Sequence, residues 1–221
     1  MSVGSGNNEM GSAVAPWSIG GDDAPVLIAE AALIETIPSV DRITLRRIER
    51  SELGAIRVEF GFAVTPFGEC LIATRENLIC HLTFHDAGER ESEMERLGQY
   101  WPRLANSLNN ERAQSLVSGL FSPTSPAPEL VLAGTQFQHQ VWQALQRIPY
   151  GSVTTYGAIA RTIGAPSASR AVGAAVGANR IAWLIPCHRV VPQNRQLGGF
   201  RWGIWRKRAM LSREQAICNQ G

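Results

Sequence analysis

The segment 185–189, of sequence IPCHR, carries the residue types best suited to covalent chemistry in this chain of 221 residues. A cysteine thiolate is a nucleophile, and a neighbouring histidine or arginine can lower the pKa of the thiol toward neutrality. Pro186 has no amide hydrogen and a fixed φ, so we expect the chain to turn there and to present Cys187 beside the apolar run 181–185. A lone Cys-His pair is more often a buried small side chain than a nucleophile, so the neighbouring features must decide between the two.

Glu214 is a candidate partner for His188. It is the single acidic residue after position 133, and a residue of this kind is usually one half of a surface salt bridge. A catalytic histidine is itself held by a third group, however, and Glu214 is the one carboxylate in this part of the chain that can serve. We therefore expect Cys187, His188 and Glu214 to act together if the segment is catalytic.

Two cysteines and two histidines between positions 70 and 85 suggest a metal site at first sight. Cys70, Cys80, His81 and His85 follow the spacing Cys-x9-Cys-His-x3-His, which is wider and less regular than the usual zinc patterns. Neighbouring residues of a strand point to opposite faces, so Cys80 and His81 would diverge. We expect no metal and no cofactor.

The charge is divided unevenly along the chain. Residues 1–133 hold ten arginines and eighteen acidic residues, a net charge of −8, whereas residues 134–221 hold ten arginines, one lysine and one acidic residue, a net charge of +10. A segment this basic is typical of a domain that binds a polyanion such as nucleic acid. Arginine dominates, and its planar fork suits phosphate and base edges.

The remaining composition predicts a reducing, cytoplasmic compartment. Four unevenly spaced cysteines do not make a disulfide framework. The chain has no apolar run long enough to cross a bilayer and no basic start followed by an apolar core. We therefore expect neither a membrane span nor a secretory signal.

The N-terminal half is expected to be an α/β unit that follows an extension. Residues 1–55 form this extension, which is predicted to be partly disordered, with a short helix or strand over 26–37 and an exposed helix over 41–53. Three β-prone runs separated by turns predict a meander within a unit that spans 56–133 and ends in a Pro/Ser linker and one more strand. The predicted elements of this unit are strands 58–65, 69–74, 78–85 and 129–133 and helices 89–100 and 104–120.

The C-terminal piece, 134–221, is expected to be mostly α-helical. Thr135 is a suitable N-cap for a helix whose apolar residues recur at helical spacing up to Ile148. Thr155 and Ser167 are expected to cap two short helices, the first over 156–163 and the second ending near 178. A tight Gly-containing turn joins them, which is typical of a helix-turn-helix. A last helix is predicted over 204–215.

The second short helix consists almost entirely of small residues around one arginine, Arg170. Small residues permit close packing against another helix or close approach to a nucleic-acid groove, and both interpretations stay open at this point. In the second case Arg170 would take the place of an extruded base, a function that base-flipping enzymes require.

These features occur together in an order that resembles the O6-alkylguanine-DNA alkyltransferases, also called methylated-DNA–protein-cysteine methyltransferases. The resemblance rests on the motifs TTY at 154–156, SRAVG at 169–173 and IPCHRV at 185–190, together with Asn179 and Glu214. It is strong over about 134–215 and looser over about 57–133, and it does not cover the extension. The motif FRWG at 200–203 is most similar to the catalytic half of bacterial adaptive-response regulators. Their other domains have no counterpart in the sequence, so no regulatory role is expected.

The resemblance implies a fold and a reaction. The fold is a small ribonuclease-H-like sheet with helices, followed by a mostly α-helical domain with a helix-turn-helix. The reaction is the irreversible transfer of the alkyl group of O6-methylguanine, and of O4-methylthymine, from double-stranded DNA to Cys187. Each protein molecule would react once, as a monomer and without a cofactor or a membrane.

The resemblance also implies a role for each matching residue. His188, acting through water and held by Glu214, would deprotonate Cys187, and Tyr156 would donate a proton toward guanine N3. Arg170 would fill the gap left by the flipped nucleotide, with Ala171 and Tyr156 beside it on the DNA. Asn179 would brace the turn before the active segment, and the carbonyls of Cys187 and Val190 would accept hydrogen bonds from the guanine amino group. The expected substrate pocket comprises Asn179, Val190, Phe200, Arg201 and Trp183.

Phe200 departs from the family pattern, since many relatives have tyrosine at the wall of the alkyl pocket. Activity is expected to survive without that hydroxyl. Trp183 and Trp202 are close in sequence to the active segment, and a pocket lined by either would disfavour bulky substituents such as benzyl. Two other interpretations compete: a module that recognises alkylated bases without chemistry, and a cysteine hydrolase, which would need an oxyanion hole and a histidine from elsewhere in the fold.

Overall fold

Three antiparallel strands form the centre of a six-stranded sheet, as the meander pattern predicts. The computed structural model describes residues 43–48, 58–101, 104–122, 125–194 and 196–218. Within them β2 (Val58–Thr65), β3 (Gly68–Arg75) and β4 (Leu78–Phe84) pair in sequence order. The first turn is closed by the Thr65 hydroxyl, which donates to the Gly68 carbonyl at 2.8 Å. Gly68 itself has a φ of 98°, which favours glycine.

The predicted helix over 41–53 is wrong where the structure describes it. Thr44–Ile48 forms β1, which pairs in parallel with β6 (Glu129–Ala133) from the Thr44–Glu129 pair to the Ile48–Ala133 pair. Charges alternating with isoleucine and leucine had indicated a helix face, but the open edge of β6 offers backbone partners that local propensity does not reveal. The end of the extension therefore belongs to the sheet. The expectations for 1–25 and 26–37 lie outside the described residues.

The predicted helix over 104–120 is two elements. Leu104–Leu108 is β5, which pairs in parallel with β2, and α2 begins only at Asn110 and ends at Leu120. The side chain of Asn109 caps α2 by accepting from the Arg112 amide at 2.9 Å. The preceding helix, α1 (Arg90–Tyr100), is confirmed. The complete strand order is β1-β6-β4-β3-β2-β5.

The segment after the sheet is helical, as expected. Thr135 and Gln138 form a reciprocal capping box at the start of α3 (Gln136–Gln146). Thr155 caps α4, but Ser167 does not cap α5, because that helix begins at Ser169 after an N-cap position without a side-chain hydrogen bond. The remaining elements are β7 (Thr154–Thr155), α4 (Tyr156–Thr162), α5 (Ser169–Gly177), a short 3-10 helix (Cys187–Arg189), β8 (Val190–Val191) and α6 (Ile204–Cys218).

Two clusters of buried apolar side chains stabilise these elements. The larger continues from the sheet into the helical segment and includes Cys70 and Cys187, whereas the smaller includes Cys80. No three or more His, Cys, Asp or Glu side chains among the described residues are grouped so that they could hold a metal ion. In the same residues we find no helix with the length and apolar character that crossing a membrane requires.

Candidate active site

The segment that leads to Cys187 is hydrogen-bonded to the sheet a few residues before the cysteine. The Leu82 amide of β4 donates to the Arg180 carbonyl at 2.9 Å, and the Ala182 amide donates to the Leu82 carbonyl at 2.7 Å. Beyond this contact Trp183 adopts a φ of 64°, in the left-handed region that side chains rarely occupy. The reversal turns the chain so that Pro186 precedes the 3-10 helix at Cys187. The position of Cys187 is therefore fixed by these hydrogen bonds to the sheet as well as by the 3-10 helix that begins at Cys187.

Asn179 holds the turn closed and contacts the cysteine directly. Its Nδ2 lies within hydrogen-bond distance of the Ile181 carbonyl at 3.2 Å, the Ile185 carbonyl at 3.1 Å and Cys187 Sγ at 3.3 Å. Its Oδ1 accepts from the Ile181 amide at 2.9 Å. One buried amide side chain therefore joins both ends of the turn and orients the thiol.

Cys187 is buried, with 6% of its surface exposed. Burial raises its pKa to about 11, although the Asn179 hydrogen bond and the charges of Lys207 and Arg201 act in the opposite direction. The side chain is therefore a thiol at neutral pH, and a base must remove its proton when it reacts. The resting thiol is protected from solvent reagents for the same reason.

His188, the next residue, is joined to Glu214 of α6. His188 Nε2 lies 2.8 Å from Glu214 Oε1, and both side chains are buried. Burial lowers the pKa of His188 although Glu214 opposes the shift. Burial would raise the pKa of Glu214, but His188 and Arg189 together hold it below its ordinary value. The ionised carboxylate can only accept, so Nε2 must carry the hydrogen.

The assigned tautomer leaves Nδ1 of His188 as an acceptor. Nδ1 is buried and has no hydrogen-bond partner in the part of the chain that the structure describes. A neutral imidazole with its Nε2–H fixed by a carboxylate can take a proton at Nδ1. Nδ1 is therefore available as a base for the neighbouring thiol, which it would reach through a water molecule because it makes no direct hydrogen bond to Cys187.

Arg189 and Lys207 contact the site residues, and we did not predict either of them. Arg189 donates to both carboxylate oxygens of Glu214 at 3.0–3.1 Å and to the Ile148 carbonyl at 2.6 Å. Lys207 donates from Nζ to the Val190 carbonyl at 2.7 Å, and burial lowers its pKa to about 8. The available signals were an arginine inside the active segment and the single lysine of the chain.

The last helix presents less charge to solvent than its sequence suggests. Arg206 and Lys207 are 3% and 1% exposed. Arg206 donates to the carbonyls of Phe67, His85 and Trp202 at 2.7–3.0 Å and so connects α6 to the sheet. These two cations therefore stabilise the fold and cannot contact a polyanion.

A pocket of about 110 Å³ opens above Cys187. Three of the residues expected to form the pocket, Asn179, Phe200 and Arg201, do line it. Trp183 does not, because its indole stacks on Phe121 with ring centroids 4.4 Å apart. Val190 is buried behind the pocket, and its carbonyl accepts from Lys207. The complete lining is Tyr156, Gly173, Val176, Gly177, Asn179, Cys187, Gly199, Phe200, Arg201 and Trp202.

Helix α5 lines the pocket through Gly173, Val176 and Gly177 and has two different faces. Its buried face packs through Val172, Ala175 and Val176, and Trp142 Nε1 donates to the Ala175 carbonyl at 2.9 Å. Its opposite face exposes Arg170 and Ala171. The small residues thus allow close helix packing on one side and leave a shallow, accessible surface on the other. Tyr156 is half-buried at the pocket wall, where burial and the neighbouring Cys187 raise its pKa.

Comparison with known proteins agrees with this geometry. The sequence family described as 6-O-methylguanine DNA methyltransferase, DNA binding domain, matches residues 136–216. The chain is 34% identical to Mycobacterium tuberculosis OGT in its crystal structure with DNA, with a TM-score of 0.59, over 72% of this chain and 94% of that one. The chain belongs to the methylated-DNA–protein-cysteine methyltransferase family.

Two further members of the methyltransferase family match over part of their length. The bifunctional transcriptional activator/DNA repair enzyme Ada of Escherichia coli (strain K12) is 37% identical over 164 residues, which are 72% of this chain and 46% of Ada. The methylated-DNA–protein-cysteine methyltransferase of Mycobacterium bovis is 54% identical over 88 residues, which are 40% of this chain and 53% of that protein. The chain spans about half the length of the curated relatives it matches. The expected resemblance to an adaptive-response regulator is confirmed.

The structural match supports the methyltransferase fold as a whole, with its mixed α/β sheet and helices. Every residue predicted for the site, from Tyr156 to Glu214, lies within the matched range 136–216. The structure brings Tyr156, Asn179 and Cys187 to one pocket and places His188 with Glu214 behind it. Arg170 and Ala171 lie on the outer face of α5, away from this pocket lining.

Proposed function

We propose that this protein repairs DNA by transferring the alkyl group of O6-methylguanine, and of O4-methylthymine, to Cys187. The proposal is carried by a buried thiol, Cys187, that lines a small pocket. The next residue in the chain is His188, whose Nε2 lies 2.8 Å from Glu214 Oε1. The product is a thioether at Cys187. No group in the site can cleave a thioether, so each molecule reacts once and needs no cofactor.

The proposed chemistry is a single displacement. His188 takes the Cys187 proton at Nδ1 through a water molecule, and Glu214 stabilises the imidazolium that forms. Sγ then attacks the alkyl carbon as the bond from that carbon to O6 breaks. Tyr156, at the pocket wall, donates a hydrogen bond toward guanine N3 as the purine gains negative charge. Asn179 keeps the turn and the sulfur in position for this attack.

The proposed partner is double-stranded DNA that carries the lesion. We propose that α4 and α5 act as a helix-turn-helix whose exposed α5 face contacts the duplex, with Arg170 in the gap left by the flipped nucleotide and Ala171 and Tyr156 near the backbone. The crystal structure of Mycobacterium tuberculosis OGT in complex with DNA supports this assignment. Phe200 and Arg201 also line the proposed base pocket, whereas Val190 and Trp183 do not.

The proposed organisation follows from the sheet and the charge division. Residues 56–133 form an N-terminal unit of ribonuclease-H-like topology, which the antiparallel meander flanked by parallel strands supports. Residues 134–221 form the DNA-binding and acceptor domain, and 1–55 form an extension that contributes β1. We propose that the protein acts as a cytoplasmic monomer.

Transfer of label from DNA to protein tests the proposed function. Duplex DNA with a radiolabelled O6-methylguanine is incubated with the protein, and one equivalent of label is expected on Cys187 by peptide mass spectrometry. Cys187→Ala is expected to take up none, and Cys218→Ala, which removes an exposed cysteine, is expected to take up as much as wild type. Binding of the lesion without transfer would instead identify a recognition module. Label on another cysteine would contradict the site assignment.

A further inference from the structure

Arg201 lies in the wall between two cavities. The smaller is the pocket of about 110 Å³ above Cys187, and the larger is a polar cleft of about 700 Å³ bounded by β4, α1 and the start of α6. Arg201 and Trp202 are the two residues that the linings share. A substituent that is bound in the pocket and points toward this wall therefore meets Arg201 and Trp202.

Among the described residues that line the pocket, only Arg201 carries a formal charge. The other lining side chains are aromatic, small, an amide or the thiol itself. The Arg201 charge acts on the pocket and on the cleft, because it opposes the burial that raises the pKa of Cys187 and, after burial and Arg180, contributes to lowering the pKa of His81 to about 3. Since His81 is neutral at physiological pH, it does not compete with Arg201 for an anion.

The acidic residues of the cleft do not neutralise Arg201. Each of them is already bound to another group, and across the described residues Arg201 makes no hydrogen bond or ion pair of its own. Its side chain is also exposed, so its cationic end can reorient toward a bound ligand. The existing pairs are Asp86 with Arg206, Glu93 with Arg96 and with Thr83, and Glu89 with the Asp86 amide.

We propose that Arg201 makes this protein selective for O6-substituents that end in an anion, of which carboxymethyl is the smallest. The proposal rests on the alkyl transfer proposed above. The methylene carbon would face Cys187 Sγ, and the carboxylate would extend to Arg201, whose fork binds carboxylates through two parallel hydrogen bonds. The remaining pocket wall, with Phe200 and Trp202, gives an uncharged polar group of the same size no equivalent partner.

The reaction balances without a further reactant. The Cys187 thiol loses its proton to His188, Sγ forms a bond to the methylene carbon, and the bond from that carbon to O6 breaks with its electron pair on the purine. The proton returns to guanine, so that guanine and S-carboxymethylcysteine are the products. The carboxylate keeps its charge throughout and stays bound to Arg201.

A matched pair of lesions isolates the charge of the substituent. Duplexes carrying O6-carboxymethylguanine or its uncharged isostere O6-carbamoylmethylguanine are reacted with excess protein, and the two single-turnover rates are expressed as a ratio. Arg201→Met is expected to lower this ratio about tenfold relative to wild type, as expected for loss of one charge-assisted pair. Arg201→Lys is expected to keep most of it. Because both rates come from the same variant, general losses of DNA affinity or folding cancel.

Two further measurements make the result decisive. Arg161→Met removes an exposed charge of the same domain that lines neither cavity, and it is expected to leave the ratio at the wild-type value. A ratio that is equal in wild type and Arg201→Met would overturn the inference. Transfer from O6-methylguanine is measured in parallel with the wild-type protein. Its failure would contradict the proposed function itself, whereas normal methyl transfer with an unchanged ratio would contradict only the role of Arg201.

Discussion

His188 Nε2 lies 2.8 Å from Glu214 Oε1, and the two residues are 26 positions apart in the chain. The same carboxylate accepts from the Arg189 guanidinium and from the Gly151 amide, so Glu214 fixes the imidazole while its own position is fixed from two other sides. The pair therefore connects the proposed catalytic base to the packing of α6, and a single substitution should affect both the rate of alkyl transfer and the stability of the fold.

Glu214→Gln keeps the shape of this side chain and removes its charge. We expect the rate of alkyl transfer to fall about 100-fold, because His188 loses the anion that stabilises its protonated form. We also expect the free energy of unfolding to fall by about 3 kcal/mol, because buried Arg189 loses its counter-charge. Single-turnover kinetics and urea unfolding measure the two effects. Ser212→Ala, an exposed change on the same helix, should alter stability by no more than about 0.5 kcal/mol.

The burial of Cys187 predicts its reactivity toward a small electrophile as pH changes. Since burial raises the pKa to about 11, the thiolate fraction should grow about tenfold per pH unit between pH 7 and 9 and should not level off there. Iodoacetamide modification of Cys187, followed by peptide mass spectrometry, measures this profile in the absence of DNA. A plateau below pH 8 would show that the free protein already holds a thiolate.

Gly151 and Gly164 have similar backbone angles, with φ of 70° and 74°, but different surroundings. A Cβ at Gly151 would lie 2.6 Å from Cys218 Sγ, whereas one at Gly164 would meet nothing within 4 Å. Gly164→Ala should therefore lower the free energy of unfolding by about 1 kcal/mol, because only the backbone is strained. Gly151→Ala should lower it by more, because the clash is added to the strain. Adding Cys218→Ala to Gly151→Ala should remove the part of the destabilisation that comes from the clash, but not the part that comes from backbone strain. Urea unfolding of the wild type, the two glycine variants and the double variant would measure these differences. Equal losses in the two alanine variants would exclude the predicted clash.

Arg170 is exposed on α5, and its proposed role exists only when a nucleotide has left a duplex. Arg170→Ala should therefore lower the rate of transfer from duplex DNA about tenfold or more relative to the rate from a short single strand carrying the same lesion. The ratio of the two rates is the readout. Arg147→Ala, which removes another exposed charge of this domain, serves as the control and should not change that ratio. A similar drop for both substrates would assign Arg170 to general phosphate binding.

The elements that local patterns predict are those whose partners are close in the chain. The meander β2–β4 has short turns, and the capping box of Thr135 with Gln138 is complete within four residues. The strands β1 and β5 were assigned to helices because both pair in parallel with distant strands. No property of residues 44–48 alone distinguishes an edge strand from a charged helix face.

The reactive residues of the site could be predicted from the sequence, whereas the buried cations that bind to them could not. Cys187, His188 and Glu214 have few alternatives of their type in the C-terminal piece, so their association follows from chemistry. Arg189 and Lys207 resemble surface cations in the sequence. No feature of the neighbouring sequence shows that Arg189 binds Glu214, or that Lys207 binds the Val190 carbonyl, in the interior. Trp183 was expected at the pocket for its proximity to Cys187, but its left-handed backbone turns the indole toward Phe121.

The burial of Arg189, Arg206 and Lys207 changes what ionic strength should do to this protein. Eleven accessible cations would release enough counterions from a duplex to give a slope of log K against log salt of about −10, whereas the eight that remain without these three give at most about −7. Arg147, Arg161, Arg170 and Arg201 are the exposed cations of the C-terminal domain among the described residues. Fluorescence anisotropy with a fluorescent duplex at several salt concentrations should give the shallower slope. Binding of a duplex should therefore lose less affinity as the salt concentration rises than the net charge of +10 implies.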